Sequence, residues 1–370
     1  MNLLVFNLAT DADDPILGFT TGWLNRLAAH YTQVDVITMR MGRLAVAPNV
    51  RVLSVGKERG YSEARRAVEF YRLLIGLLIR RRYAACFAHM MPLFALLSAP
   101  ILRLFGVPIT LWYTHRQRHR TLDWATRVSR RVVTAAPDSF PIPTPKLRVL
   151  GHGIDTEFFR TEKQNTEGEH TVLDSVLSPQ SSVLSFVVHV ARVMPIKHQA
   201  TLIRALPAVP TAHVVFVGDV PPDTDGSYRA ELETLARELG VAERVTFAGH
   251  QSADGVRDWY RRAAAAVNLS PVGLFDKAAL EALACGVPTI VSNPAFDSLL
   301  GGDAAGADGW RIASPEDHVG LAAQLNHVLS LDPLARERLT AVIRARVVEA
   351  HSLDGLIRRL VQVLKTGEIV

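Results

Sequence analysis

Residues 265–292, AAVNLSPVGLFDKAALEALACGVPTIVS, decide the fold. An apolar run of strand length (265–269) ends at Ser270, and a loop containing Gly273 follows. From 276 to 285 the chain is rich in Ala and Leu, which are strong helix formers, and Gly286 stands where a left-handed C-terminal cap is wanted. A second apolar run, 288–292, completes a strand–helix–strand unit. Strands joined through a helix lie parallel and bury both faces, so the unit predicts a parallel sheet covered on each side.

The same alternation extends outward. Upstream, strands are expected at 183–190, 213–217 and 244–248, with helices near 198–206, 226–239 and 253–263. In the first half, strands are expected at 2–8, 33–39, 50–54, 84–89, 108–113 and 131–135. Helices are expected between them, near 18–30, 61–82, 92–105 and 121–130. The last two helical patterns, 333–350 and 353–366, have no strand after them. The pattern predicts an α/β chain of two tandem doubly wound, Rossmann-like domains with C-terminal helices returning to the first. The expected boundaries are 1–154, a polar linker over 155–182, a second domain over 183–350, and a closing helix over 351–370.

Composition narrows the classes further. The 370 residues suit two domains of ordinary size. Hydrophobic residues make up 48% and charged residues 21%, which excludes a largely disordered chain. Cys86 and Cys285 stand alone, with no CxxC or Cys/His cluster, against a disulfide framework, a structural zinc site or a cysteine redox motif. The start, MNLLVFNLATDADDP, has no basic segment before its apolar run. It reads as a first strand rather than a signal peptide, which makes a cytoplasmic location the expectation. Residues 90–113 are the most apolar stretch, but Pro92, Pro100, Arg103 and Pro108 interrupt them. They predict a buried helix and strand, not a membrane span.

Charge is lopsided. Residues 1–150 hold 21 Lys/Arg and 9 Asp/Glu, while 151–370 hold 20 and 27. The first half therefore suits an anionic partner. Two basic groups stand out: the amphipathic 61–82, ending in Arg80-Arg81-Arg82, and Arg116, Arg118, Arg120, Arg127, Arg130 and Arg131. Basic helices beside apolar residues suit an anionic bilayer surface; a solvated arginine-rich face is the plainer alternative. No nucleic-acid-reading motif accompanies them, so nucleic acid is not an expected partner.

Open parallel sheets bind ligands beyond the carboxyl ends of their strands, near helix N-termini. Two such sheets direct attention to the cleft expected between them. After the strand SFVVHV comes ARVMPIK (191–197), which places Arg192 and Lys197 on one loop at a strand end. Two cations there suit a diphosphate; a solvated loop with chance charges is the alternative. The chain has only six lysines against 35 arginines, so a lysine at that position hints that a compact point charge is wanted. Lys277 is another, set in the first helical turn where the dipole disfavours a cation unless an anion binds. Glu281 lies one turn further on. An i,i+4 surface salt bridge would explain the pair equally simply.

ARVMPIK, with the strand–loop–DKAALEALACGVP segment about 75 residues later, resembles the nucleotide-sugar glycosyltransferases of family 4. Three further segments carry the resemblance: LRVLGHGIDTEFF (147–159), VVFVGD (214–219) and AERVTFAGH (242–250). The resemblance implies the two-Rossmann-domain architecture called GT-B and a retaining transfer from a nucleotide-diphosphate sugar to a hydroxyl acceptor. It implies Arg192 and Lys197 as diphosphate ligands and Glu281 as the ribose ligand. Gly18 becomes the glycine that lets backbone approach the phosphates, and Gly218, Ser270, Lys277 and Ala278 further donor contacts. Gly273 stands where the family has the first Glu of its E-x7-E motif, and Asp276-Lys277 matches a "DK..LEA" variant. His115, after the strand LWYT, is the expected catalytic histidine near the sugar, with Asp276 beside it. His89, ending AACFAH, is expected with His115 on the acceptor side. No cofactor beyond the donor is expected. The acceptor is expected to be a lipid-linked or polysaccharide-precursor glycan, handled at the inner face of the membrane.

Asp11-Ala12-Asp13 and Asp223-Thr224-Asp225 match a metal–diphosphate motif formally but fall in polar loops of a chain built otherwise. Arg192, Lys197 and a helix N-terminus can supply the charge a divalent cation would bring, so no metal is expected. Two other functions fit the same residues: a nucleotide-sugar epimerase, and a catalytically silent sugar-nucleotide-binding protein.

Overall fold

The computed structural model describes residues 1–14, 17–160, 185–222, 224–272, 275–301 and 310–368. Its elements alternate along the chain. The first half runs β1 (Asn2–Thr10), α1 (Phe19–Ala28), β2 (Gln33–Met41), β3 (Val50–Ser54), α2 (Glu63–Arg80), β4 (Tyr83–His89), α3 (Pro92–Leu104), β5 (Ile109–Trp112), α4 (Arg120–Val128), β6 (Arg131–Thr134) and β7 (Leu147–Val149). Then come β8 (Ser185–Val190), α5 (Gln199–Ala205), β9 (Ala212–Val217), α6 (Ser227–Glu238), β10 (Val245–Gly249), α7 (Ala253–Arg262), β11 (Ala265–Asn268), α8 (Lys277–Ala284) and β12 (Thr289–Val291). Among the described residues, helices α9 (Asp297–Leu300), α10 (His318–Leu329), α11 (Pro333–His351) and α12 (Leu353–Thr366) follow.

The chain divides into two units, Met1–Gly153 with Leu353–Val370, and Ile154–Ser352. In the first, seven parallel strands lie in the order β3-β2-β1-β4-β5-β6-β7. Successive side chains of a strand point to opposite faces, and β1 shows the consequence. Leu3 and Val5 join one core with Trp23 and Leu27 of α1 and Leu356 and Leu360 of α12. Leu4 and Phe6 join another with Phe70 and Leu74 of α2, Phe94 of α3 and Leu122 of α4. The sheet is thus sandwiched between an α1/α12 layer and an α2/α3/α4 layer. Helix α12 is tied down by Arg359, which donates to the Leu150 carbonyl at 3.1 and 2.9 Å, and by an Arg26–Asp354 ion pair at 2.7 Å.

The second unit has five parallel strands in the order β10-β9-β8-β11-β12. Local chemistry sets its helix ends. Ser252 accepts from the Gly255 amide at 3.2 Å and Asp332 accepts from Leu334 and Ala335 at 3.1 Å, each satisfying amides that a helix start leaves open. Gly286, at φ 71°, ends α8 in the left-handed conformation that costs glycine little.

Both sheets reverse their strand order once, between β1 and β4 and between β8 and β11. Helices on the two sides of such a point cross on opposite faces, which leaves a crevice at the carboxyl ends of the two strands. Residues 90–113 form α3 and β5, and among the described residues no helix is long and apolar enough to cross a membrane. Three elements go beyond the sequence reading, β7, α10 and the single-turn α9. The first is only three residues long. The second carries a readable signal: Asp317 caps the Gly320 amide at 2.8 Å, and Leu321, Ala322, Leu325 and Val328 bury one face at helical spacing.

Candidate functional site

In the second unit the reversal point gathers a polar cluster. Beyond β8 the chain turns through Ala191–His198 into α5. His189, buried within β8, donates from Nε2 to the Lys197 carbonyl at 3.1 Å, and Gln199 Nε2 donates to the Arg192 carbonyl at 2.8 Å. These two bonds pin the loop from within. Burial, helped by the nearby Lys197 charge, pulls the His189 imidazole down to about 4, so it stays neutral.

The pinned loop aims Lys197 across to the neighbouring strand end. Its ammonium donates to Ser270 Oγ at 3.1 Å and forms an ion pair with Asp276, whose carboxylate also accepts from Ser270 Oγ at 2.7 Å. About a sixth of the Lys197 side chain and a fifth of that of Asp276 remain exposed, so the cluster can be reached from outside. Burial alone would push the Asp276 carboxyl up. The Lys197 charge and hydrogen bonds from Lys197, Ser270 and Asn268 outweigh it and hold the group below its ordinary value. Asn268 accepts from the Ser270 amide at 3.3 Å, and Asn293 donates to the Pro271 carbonyl at 3.1 Å, so the second loop is braced as well.

Asp276 occupies the N-cap position of α8 without capping it, because its carboxylate turns to Lys197 and Ser270 instead. The first amides of α8 therefore lack a side-chain cap from Asp276. Lys277 and Glu281 follow on the same helix, both half-buried. Burial lowers the Lys277 ammonium and raises the Glu281 carboxyl, and the opposite charge of each counters the shift of the other. That environment differs from the exposed i,i+4 pair that the sequence left open. Ala278 contributes its carbonyl, which accepts from Tyr260 at 2.8 Å. Arg192 is exposed, and its side chain has no partner among the described residues. Such an arrangement of cations, a hydroxyl and a helix start suits an oxyanion.

Gly218 meets a packing constraint. At φ 136° it ends β9 against β8, where a Cβ would fall 2.2 Å from the Ala191 carbonyl oxygen. Gly273 and Asp223 lie outside the described residues. Asp225 caps the Ser227 amide at 3.0 Å. A groove of about 540 Å³ between α5 and α6 is lined by Arg204, Tyr228 and Glu231 and includes none of the Lys197, Ser270 and Asp276 cluster.

The corresponding point of the first unit is built differently. His89, buried at the end of β4, sits in an aromatic frame, 4.9 Å from Trp23, 5.9 Å from Phe19 and Phe87, and 6.3 Å from Trp112 between ring centres. Gly18 opens α1, where a Cβ would lie 2.7 Å from the Asp14 carbonyl oxygen. The loop carboxylates are taken: Asp13 receives Arg43 at 2.8 and 2.7 Å, Asp14 pairs with Arg40, and Asp11 accepts two backbone amides at 3.1 and 3.0 Å. His115 lies in an exposed loop beyond β5.

Of the residues singled out from sequence, Lys197, Ser270 and Asp276 meet directly, with Lys277, Ala278 and Glu281 on the adjoining helix. His189, Asn268, Gln199 and Asn293, which brace the site, were not singled out. A polar residue inside or ending an apolar strand, as in SFVVHV and AAVN, is the signal that finds the first two.

Comparison with known proteins shows what these residues are similar to. Residues 182–345 match the family described as glycosyl transferases group 1. A D-inositol 3-phosphate glycosyltransferase of Mycolicibacterium smegmatis is 26% identical over 366 residues, covering 95% of this chain and 80% of the relative. That of Mycolicibacterium gilvum is 31% identical over 214 residues, covering 57% of this chain and 46% of the relative, so the match spans about half of that protein. Among solved structures, HepE of Anabaena in complex with UDP and glucose aligns at a TM-score of 0.73 with 16% identity, covering 99% of this chain and 100% of that one. Sucrose-phosphate synthase of Thermosynechococcus elongatus aligns at 0.73 with 18% identity, covering 97% and 98%. At those identities the likeness to the solved structures is one of fold.

Proposed function

We propose that this chain, which has the GT-B fold and whose residues 182–345 match the group 1 glycosyl transferases, is a retaining, metal-independent hexosyltransferase acting on a nucleotide-diphosphate sugar. The observation that carries this reading is the Lys197–Ser270–Asp276 cluster at the β8/β11 reversal, beside the start of α8. The UDP and glucose held by HepE, a protein of the same fold, favour the same class of donor.

In this reading the bond between the anomeric carbon and the diphosphate breaks, and its electron pair passes to the departing phosphate oxygen. The acceptor hydroxyl forms the new bond to that carbon, and its proton passes to the departing phosphate oxygen. Lys197, Arg192 and the amides of Lys277 and Ala278 take up the charge growing on the diphosphate, the role otherwise open to a divalent cation. Asp276 holds Lys197 in position until the donor arrives, and the diphosphate then competes for the same ammonium. Glu281 takes the ribose hydroxyls. His115 and His89 are assigned to the sugar and acceptor, and Gly18 to the donor phosphates. The acceptor is a lipid-linked or polysaccharide-precursor glycan at the inner face of the membrane.

Lys197→Met tests this. Donor turnover should fall about 10²–10³-fold with the near-ultraviolet circular dichroism unchanged. Wild-type turnover should persist in EDTA, and the product should keep the anomeric configuration of the donor. Unchanged kinetics in Lys197→Met would remove the cluster from the reaction.

A further inference from the structure

The α2/α3/α4 layer of the first unit is apolar on both of its sides. Inward, Phe70, Leu74 and Leu77 of α2 join the core. Outward, the same helix presents Val68, Ile75 and Ile79, exposed by 69%, 43% and 74%. Their spacing of seven and four places them on one stripe. Helix α3 lies alongside, with Phe70 and Phe94 4.4 Å apart, and ends in the exposed Leu104 and Phe105. Helix α4 packs on α3 and exposes Trp124 and Val128. A helix that only covers a sheet needs one apolar stripe, so the second stripe is unexplained by folding.

That outer surface is also cationic. Arg65, Arg72, Arg80, Arg103, Arg120 and Arg127 are exposed on these three helices. Their acidic residues are Glu63, Glu69 and Asp123, and each lies against an arginine, Arg66, Arg72 and Arg118 respectively. The Arg127 guanidinium sits 4.7 Å over the Trp124 ring, an aromatic and a cation presented together.

We propose that this layer is a docking face for an anionic lipid bilayer, with α2 lying in the interfacial plane. Aliphatic side chains interleaved with arginines match acyl chains beneath anionic headgroups, and a tryptophan beside an arginine suits the headgroup level. A polyanion such as nucleic acid would satisfy the arginines but leave the aliphatic stripe facing charge. The inference does not depend on the transfer reaction. Because the layer covers a face of the sheet, docking leaves the carboxyl ends of the strands at its side rather than beneath it.

The chain carries its own probe. Of its five tryptophans, Trp23, Trp112, Trp259 and Trp310 are buried and Trp124 is 52% exposed. The intact protein should float at low salt with vesicles of equal phosphatidylglycerol and phosphatidylcholine, and not with phosphatidylcholine alone. Its emission should shift to the blue on binding, and Trp124→Phe should float without that shift. Ile75→Glu combined with Ile79→Glu should weaken partition about tenfold or more while the thermal midpoint holds, since both residues face solvent. Absence of flotation, equal binding to neutral vesicles, or undiminished binding of the double variant would each overturn the proposal. So would a stable dimer in sedimentation that the double variant dissociates, because a second copy would then cover the face.

Discussion

The two strand-reversal points obey one topological rule and hold opposite chemistry. At β8/β11 a lysine, a serine and an aspartate converge beside a helix start. At β1/β4 a histidine is enclosed by aromatic rings, and arginines neutralise the nearby loop carboxylates. Topology therefore fixes where a ligand meets each sheet, while the residues after each strand decide what kind. Charge and open amides suit a phosphate. Ring faces and a buried imidazole suit an uncharged, ring-shaped group such as a sugar.

The two glycines at these points give the largest expected contrast in stability. Gly218→Ala forces a Cβ to 2.2 Å from backbone oxygen at φ 136°, and should cost about 3 kcal/mol or more. Gly18→Ala meets oxygen at 2.7 Å with ordinary helical backbone, and should cost about 1 kcal/mol. Urea denaturation of the two variants checks the order, and equal costs would erase the contrast.

Acid should separate the regions next. His189 is neutral when folded and titrates near 4, against about 6.5 for a free imidazole. Between those values the unfolded chain binds a proton that the folded chain does not. Stability is therefore lost as pH falls through that window, by up to about 3 kcal/mol. The protection factors of the β8 amides, taken relative to the intrinsic exchange rate at each pH, should fall on acidification toward pH 4, and His189→Gln should flatten the dependence.

The smallest effect concerns Asp276. Asp276→Asn leaves the shape but frees the Lys197 ammonium of its counter-charge, so a nucleoside diphosphate should bind about fivefold tighter. Calorimetric titration measures it. Weaker binding would mean that Asp276 orients the lysine more than it competes for it.

Much of this was legible in the sequence. The spacing of apolar runs located the helices α8, α11 and α12 almost to the residue, because a buried sheet and its covering helices impose periodicities of two and 3.6. It also placed Lys197 and Asp276 just past strands. What it could not give was their meeting, since 79 residues separate them and only the adjacency of β8 and β11 joins the loops. Nor did it distinguish Gly218, whose glycine answers to a neighbouring backbone. The outward stripe of α2 was hidden for a similar reason. The pattern of 61–82 shows amphipathicity, but only the packed layer reveals that Ile75 and Ile79 are left outside the core.

The most direct test of the central claim is hydrogen exchange with and without a saturating nucleoside diphosphate, run with UDP, GDP and ADP. Protection concentrated in 192–198 and 270–281 is the predicted result for whichever nucleotide binds. Protection confined to the α5/α6 groove or to the loop after β1, with those two segments unchanged, would contradict it.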